Sequence, residues 1–200
     1  MVRMMMCGVA LAVLAGMSLP ADAAGRFAAG GIARGPAGGF VAGHAGGFRG
    51  PRGAAGIHGR TTTGDGAGDR RTASAGAVRG PNGSTAERAG STTHSADGSM
   101  QHQSGFKADG AAGGSISSQG SSYRNADGSA GVSRTTTATG ANGGTYQGST
   151  TGATGQGVTR TREVTGANGN TYNGQTTVSK DGITHTGGCT NASGQAIACR

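Results

Sequence analysis

The chain has 200 residues, of which 44 are glycine and none tryptophan; 4% are aromatic and 13% charged, and the formal net charge is +8. Its three leucines, Leu11, Leu14 and Leu19, fall in the first twenty residues, and the 177 residues after position 23 hold 15 Ile, Val and Phe in all. That is well under the roughly 20% at which a charged chain reads as disordered. Each ordered residue costs about 1–2 kcal/mol of backbone entropy, so a close-packed enzyme domain is excluded, and disorder or thin, repetitive β structure remains.

Residues 1–6 carry one charge, Arg3, before an apolar run over residues 7–19; Pro20 ends the run and Ala21-Asp22-Ala23 follows. This layout is that of a secretory signal peptide, residues 1–23. The run is shorter than the roughly 20 apolar residues of a membrane anchor. The expectation is a periplasmic or secreted mature protein with no integral membrane segment after cleavage.

Residues 24–79 are rich in Gly, Ala and Arg, and their composition predicts a disordered cationic arm. Arg26, Arg34, Arg49, Arg52 and Arg60 are its candidate polyanion-binding residues. Arg-Gly pairs interspersed with Phe27, Phe40 and Phe48 resemble segments that bind single-stranded nucleic acid through charge and stacking. For an exported chain the corresponding partners are lipopolysaccharide, acidic glycans and extracellular DNA. The run GDGAGD at residues 64–69 resembles calcium-binding β-roll repeats. It is single and is followed by Arg70 and Arg71, so it reads as a linker.

From residue 80 the chain becomes repetitive. TGANGGTYQGSTT at 139–151 and TGANGNTYNGQTT at 165–177 agree at 10 of 13 positions, offset by 26 residues, and fainter copies upstream suggest about four units. Asn142-Gly143, Asn168-Gly169 and Asp181-Gly182 suit two-residue hairpin turns, and the Thr- and Val-bearing stretches between them alternate with period two. In the last unit Tyr172, Gly174, Thr176 and Val178 share one face; Thr171, Asn173, Gln175, Thr177 and Ser179 form an entirely polar second face. A turn at Asp181-Gly182 predicts Val178 opposite His185 and Gly174 opposite Cys189. With Cys7 removed, Cys189 and Cys199 remain as a pair. A turn centred on Gly194 would oppose them directly, so they are expected to form a disulfide. The predicted fold is thus a mostly disordered N-terminal half, then an all-β C-terminal half over residues 80–200, an antiparallel β meander or β-repeat array ending in a disulfide hairpin. Its exposed edges suggest self-association.

No pair of acidic residues and no nucleophile motif offers catalysis, so no enzymatic activity and no cofactor is expected. His94, Met100 and His102 are the residues a soft metal ion would use, and scattered His and Met are the alternative route to an envelope function. Thr pairs such as Thr159/Thr161 and Thr184/Thr186 suit a flat β face of the ice-binding kind but equally an ordinary solvent-facing strand. The TGANGxTYxGxTT repeat and the terminal Cys pair resemble small Gly/Thr-rich exported proteins of Gram-negative bacteria, a likeness that implies no activity. The functional expectation is a non-enzymatic structural or interaction protein of the cell envelope or extracellular matrix, with polyanion or metal binding as the alternative.

Overall fold

A computed structural model describes residues 24–35 and 37–199; the expected signal peptide, including Cys7, lies outside them. The described chain forms thirteen β-strands and no helix. They are β1 Gly25–Arg34, β2 Phe40–Arg49, β3 Ala55–Gly64, β4 Arg70–Arg79, β5 Thr85–His94, β6 Met100–Asp109, β7 Ser115–Arg124, β8 Ala130–Thr139, β9 Thr145–Ala153, β10 Gly157–Thr165, β11 Thr171–Ser179, β12 Gly182–Thr190 and the two-residue β13 Ala196–Ile197. Each pairs antiparallel with the next, giving one sheet in sequential order.

The meander is punctuated by one recurring turn. Strand starts fall every fifteen residues from Gly25 to Thr145, ten residues of strand followed by five of connection. In nine connections the first residue donates its N–H to the carbonyl of the fifth at 2.6–2.9 Å, while a glycine in fourth place donates back to the first at 2.9–3.3 Å. Those glycines, Gly143 and Gly169 among them, have φ of +79° to +95°, and no non-glycine residue among the described ones has positive φ. This is a type I turn closed by a glycine bulge, a three-residue hairpin loop. The expected two-residue Asn-Gly turn is therefore corrected: Asn142 and Asn168 keep ordinary φ, and each caps its turn with Oδ1, accepting from Gly144 N at 3.3 Å and Asn170 N at 3.1 Å.

Residues 24–79 are not a disordered arm. They form β1–β4, and β4 pairs with β5 over its full length, so the sheet runs unbroken through residue 80. The same turn stands at residues 50–54 and 80–84, with Pro51 and Pro81 in second place, where a type I turn favours proline. What composition hid is that these strands are short runs of Gly and Ala interrupted by larger residues instead of an alternation of polar with apolar. Their aromatic rings lie over glycines of the facing strand: Phe27 over Gly47, Phe48 over Gly56 and Phe40 over Gly64, each a directly opposed pair.

In the C-terminal strands the expected faces hold and the register moves. The β11–β12 turn is Lys180-Asp181, so Val178 pairs with Ile183, Thr176 with His185 and Tyr172 with Cys189. Each partner lies two residues from its expected place, which preserves the side of every side chain. Likewise Cys189 pairs with Ile197, not Cys199, yet the Cys189–Cys199 disulfide forms, with Cα atoms 5.3 Å apart. The 26-residue offset holds from β9 to β11 only; strands two apart start thirty residues apart between β1 and β9.

No hydrophobic side chain among the described residues is buried, and only consecutive strands pair. The sheet therefore has two open faces. Among the described residues the first strand has no outer partner, and β12 is covered by β13 at Cys189 and Thr190 alone.

Candidate anion-binding face

Pairing assigns every side chain to one of two faces, because directly opposed residues in an antiparallel ladder point the same way. From β1 to β11 the connections have odd length, so even-numbered residues stay on one side. The two-residue turn at Lys180-Asp181 switches the parity, and odd-numbered residues of β12 join that face. Nine arginines collect there: Arg26, Arg34, Arg60, Arg70, Arg88, Arg124, Arg134, Arg160 and Arg162, all exposed. His44, His58, His94, His102 and His185 join them, and no strand places a carboxylate on this side.

The opposite face is nearly neutral and hydroxyl-rich. It holds Arg49, Arg71, Arg79 and Lys107 against Glu87, Asp109 and Glu163, with Lys107 Nζ 3.1 Å from Asp109 Oδ2. From β7 onward cross-strand hydroxyl pairs cover it, including Ser117–Thr137 and Ser121–Ser133 at 3.0 Å and Ser149–Thr161 at 2.7 Å. The remaining side-chain carboxylates among the described residues lie in turns. Asp65 accepts from the N–H groups of Ala67 and Asp69, and Asp69 from Ala96 N, so the GDGAGD carboxylates are turned into backbone. The side-chain and then the backbone hydrogen bond from Ser99 hold the Asp97 carboxyl below its usual range, as those from Ser129 do for Asp127.

On the arginine face, neighbours hold three of the guanidinium groups, those of Arg134, Arg162 and Arg70, without neutralising them. Arg134 on β8 donates to Ser118 Oγ of β7 at 3.0 Å and to Ser104 Oγ of β6 at 3.1 Å. It can cross β7 because its opposed residue there is Gly120, where a Cβ would meet the Ser133 carbonyl oxygen at 2.7 Å. Arg162 lies 5.1 Å from the Tyr172 ring centroid and donates to Tyr172 Oη at 3.3 Å. Tyr172 Oη is 3.4 Å from His185 Nε2, and His185 Nδ1 is 2.9 Å from Thr176 Oγ1. Arg70 sits 5.8 Å over Phe40. An array of guanidinium groups unpaired by carboxylate can receive phosphate, sulfate or carboxylate ligands bidentately.

The five arginines singled out in the sequence are split by the sheet. Arg26, Arg34 and Arg60 are on the arginine face, Arg49 is on the other, and Arg52 is in the β2–β3 turn. Missed were the six others, which lie beyond residue 69 and become neighbours of the first three only through strand parity. His94 and Met100 are opposed on β5 and β6, while His102 Nδ1 is engaged by Thr92 Oγ1 at 2.8 Å. Among the described residues no three or more His, Cys, Asp or Glu side chains group as metal ligands, and no helix is long and apolar enough to cross a membrane. No family model, curated protein or solved structure matches the chain.

Proposed function

We propose that this chain is an exported, non-enzymatic interaction protein of the cell envelope or extracellular matrix that binds polyanions through its arginine face. The observation that carries the reading is the sorting of charge: nine arginines share a side of the sheet with no carboxylate, while the ion pair Lys107–Asp109 lies on the other. The disulfide fits an oxidising compartment. Attraction of this kind is salt-dependent, with each neutralised anion adding about one unit to the slope of log affinity against log salt. Replacing Arg134, Arg160 and Arg162 together by Gln is expected to lower the salt needed to elute the oxidised protein from heparin or DNA resin, and to reduce that slope by about three. Arg79→Gln with Lys107→Gln, on the other face, should leave the slope nearly unchanged. Equal losses from the two sets, or no retention of the parent protein, would refute the proposal. The open edges of β1 and β12 support self-association as a second reading, which concentration-dependent, thioflavin-positive assembly would favour and a strictly monomeric protein would end.

A further inference from the structure

The arginine face is apolar as well as cationic. Of fourteen exposed large apolar side chains, eleven lie on it; Val41, Ile57 and Tyr123 are the exceptions. They are ordered into rows. Along β10 the outward residues read Val158, Arg160, Arg162, Val164, so two cationic positions lie between two apolar ones. Cross-strand pairing extends the first apolar position through Val178 to Ile183, and through Gly152 to Val132. These four side chains are 41–74% exposed. On the other flank Val164 is opposed by Tyr146 and Tyr172. Side chains two residues apart on a strand are separated by roughly 7 Å, which makes the β8–β12 part of the face, centred on β10, a cationic band about two side chains wide with an apolar border on each side.

We propose that the ligand of this face is an anionic phospholipid surface. The inference rests on the polyanion reading and narrows it. A soluble polyanion would use the guanidinium groups and leave both apolar borders in water, whereas the headgroup region of an anionic bilayer offers phosphates to the arginines and acyl carbon to the borders. No other part of the described chain covers these borders, because the sheet builds no core. Exposed apolar area of this extent beside unneutralised charge marks an interaction surface, and arginine stems themselves lie along apolar surface while their heads reach phosphate.

The absence of tryptophan permits a direct test on the full mature chain. Val132→Trp reports from the arginine face, and Thr135→Trp, on the same strand, from the opposite one. Vesicles of phosphatidylglycerol mixed with phosphatidylcholine, carrying brominated acyl chains, are expected to quench and blue-shift the first reporter and not the second. Pure phosphatidylcholine vesicles should do neither. In the protein without reporters, replacing Val132, Val158 and Val178 by Ser should weaken vesicle partitioning at least tenfold while heparin retention and the β circular dichroism stay unchanged. Vesicle binding without quenching of either reporter, quenching of both, or heparin binding without vesicle binding would overturn the lipid assignment and leave the polyanion reading standing. Loss of both kinds of binding in the parent protein would end both.

Discussion

Strands β1–β4 and strands β7–β12 share the antiparallel ladder and differ in which side-chain contact predominates, although Tyr123 lies over Gly131 in the second region and Thr62 bonds Thr72 in the first. In the first region phenylalanine rings lie over glycines of the facing strand. In the second, serine and threonine hydroxyls bond in pairs across the ladder, as Ser149 does with Thr161 at 2.7 Å. Both use the turn with glycine in fourth place, and the fifteen-residue spacing of strand starts runs from the first region as far as β9, after which it shortens. The comparison teaches that the turn and the ladder specify this sheet, and that the side chains decide what each stretch can tolerate and bind.

The N-terminal device gives the largest expected effect. A Cβ at Gly47 would press into the Phe27 ring and stand 2.7 Å from the Gly56 carbonyl oxygen, whereas one at Gly59 would find nothing nearer than 3.5 Å. Gly47→Ala should therefore destabilise the oxidised protein by about 1–3 kcal/mol, as overpacking does. Gly59→Ala, in an ordinary extended position, should be neutral or slightly stabilising. Chemical denaturation followed by circular dichroism measures both. Equal effects would mean that the ring-on-glycine contacts do not stabilise the first region.

The shared turn should erase the difference. Gly53 in the first region has φ +82° and Gly143 in the second +84°, and a Cβ at either would meet open space. Gly53→Ala and Gly143→Ala are each expected to cost about 1 kcal/mol through backbone conformation alone. Unequal costs would show that the two regions do not rely on the turn alike. Replacing a ladder hydroxyl should matter less: Ser149→Ala leaves Thr161 half-buried with access to water, a loss of about 0.5 kcal/mol.

Much of the C-terminal half was legible in the sequence, because Thr/Val alternation and Asn-Gly or Asp-Gly pairs announce strands and turns in residue types with known preferences. Faces survived even where register did not, since the misplaced turn at Asp181-Gly182 displaced each partner by two residues. The N-terminal half was illegible for a physical reason. Gly47, Gly56 and Gly64 serve as seats for rings, and composition cannot tell a glycine that packs from one that merely flexes. The arginine face was hidden for a related reason: Arg60 and Arg162 share it only because seven ladders conserve parity between them, and His185 joins it only because one turn has two residues.

The smallest effect is electrostatic and belongs to turns on either side of the regional boundary. Asp97 accepts from Ser99 N at 2.8 Å and Asp127 from Ser129 N at 2.9 Å and Ser129 Oγ at 2.7 Å. In both the serine side-chain hydrogen bond, then the backbone one, lowers the carboxyl below its ordinary value of 3.8. A folded-state value below the unfolded one means a contribution to stability that is fully present above the unfolded value and disappears as the pH falls through the folded one. Both groups are fully exposed, so the contribution is small and is further screened by salt. Denaturation midpoints of the parent and of Asp97→Asn/Asp127→Asn should therefore differ slightly at neutral pH and converge below the ordinary carboxylate range, where the parent loses the same charge. A difference that persisted unchanged in acid would assign the turn's stability to the shape of the Asx hydrogen bond, which an amide retains in part, and not to the carboxylate's charge.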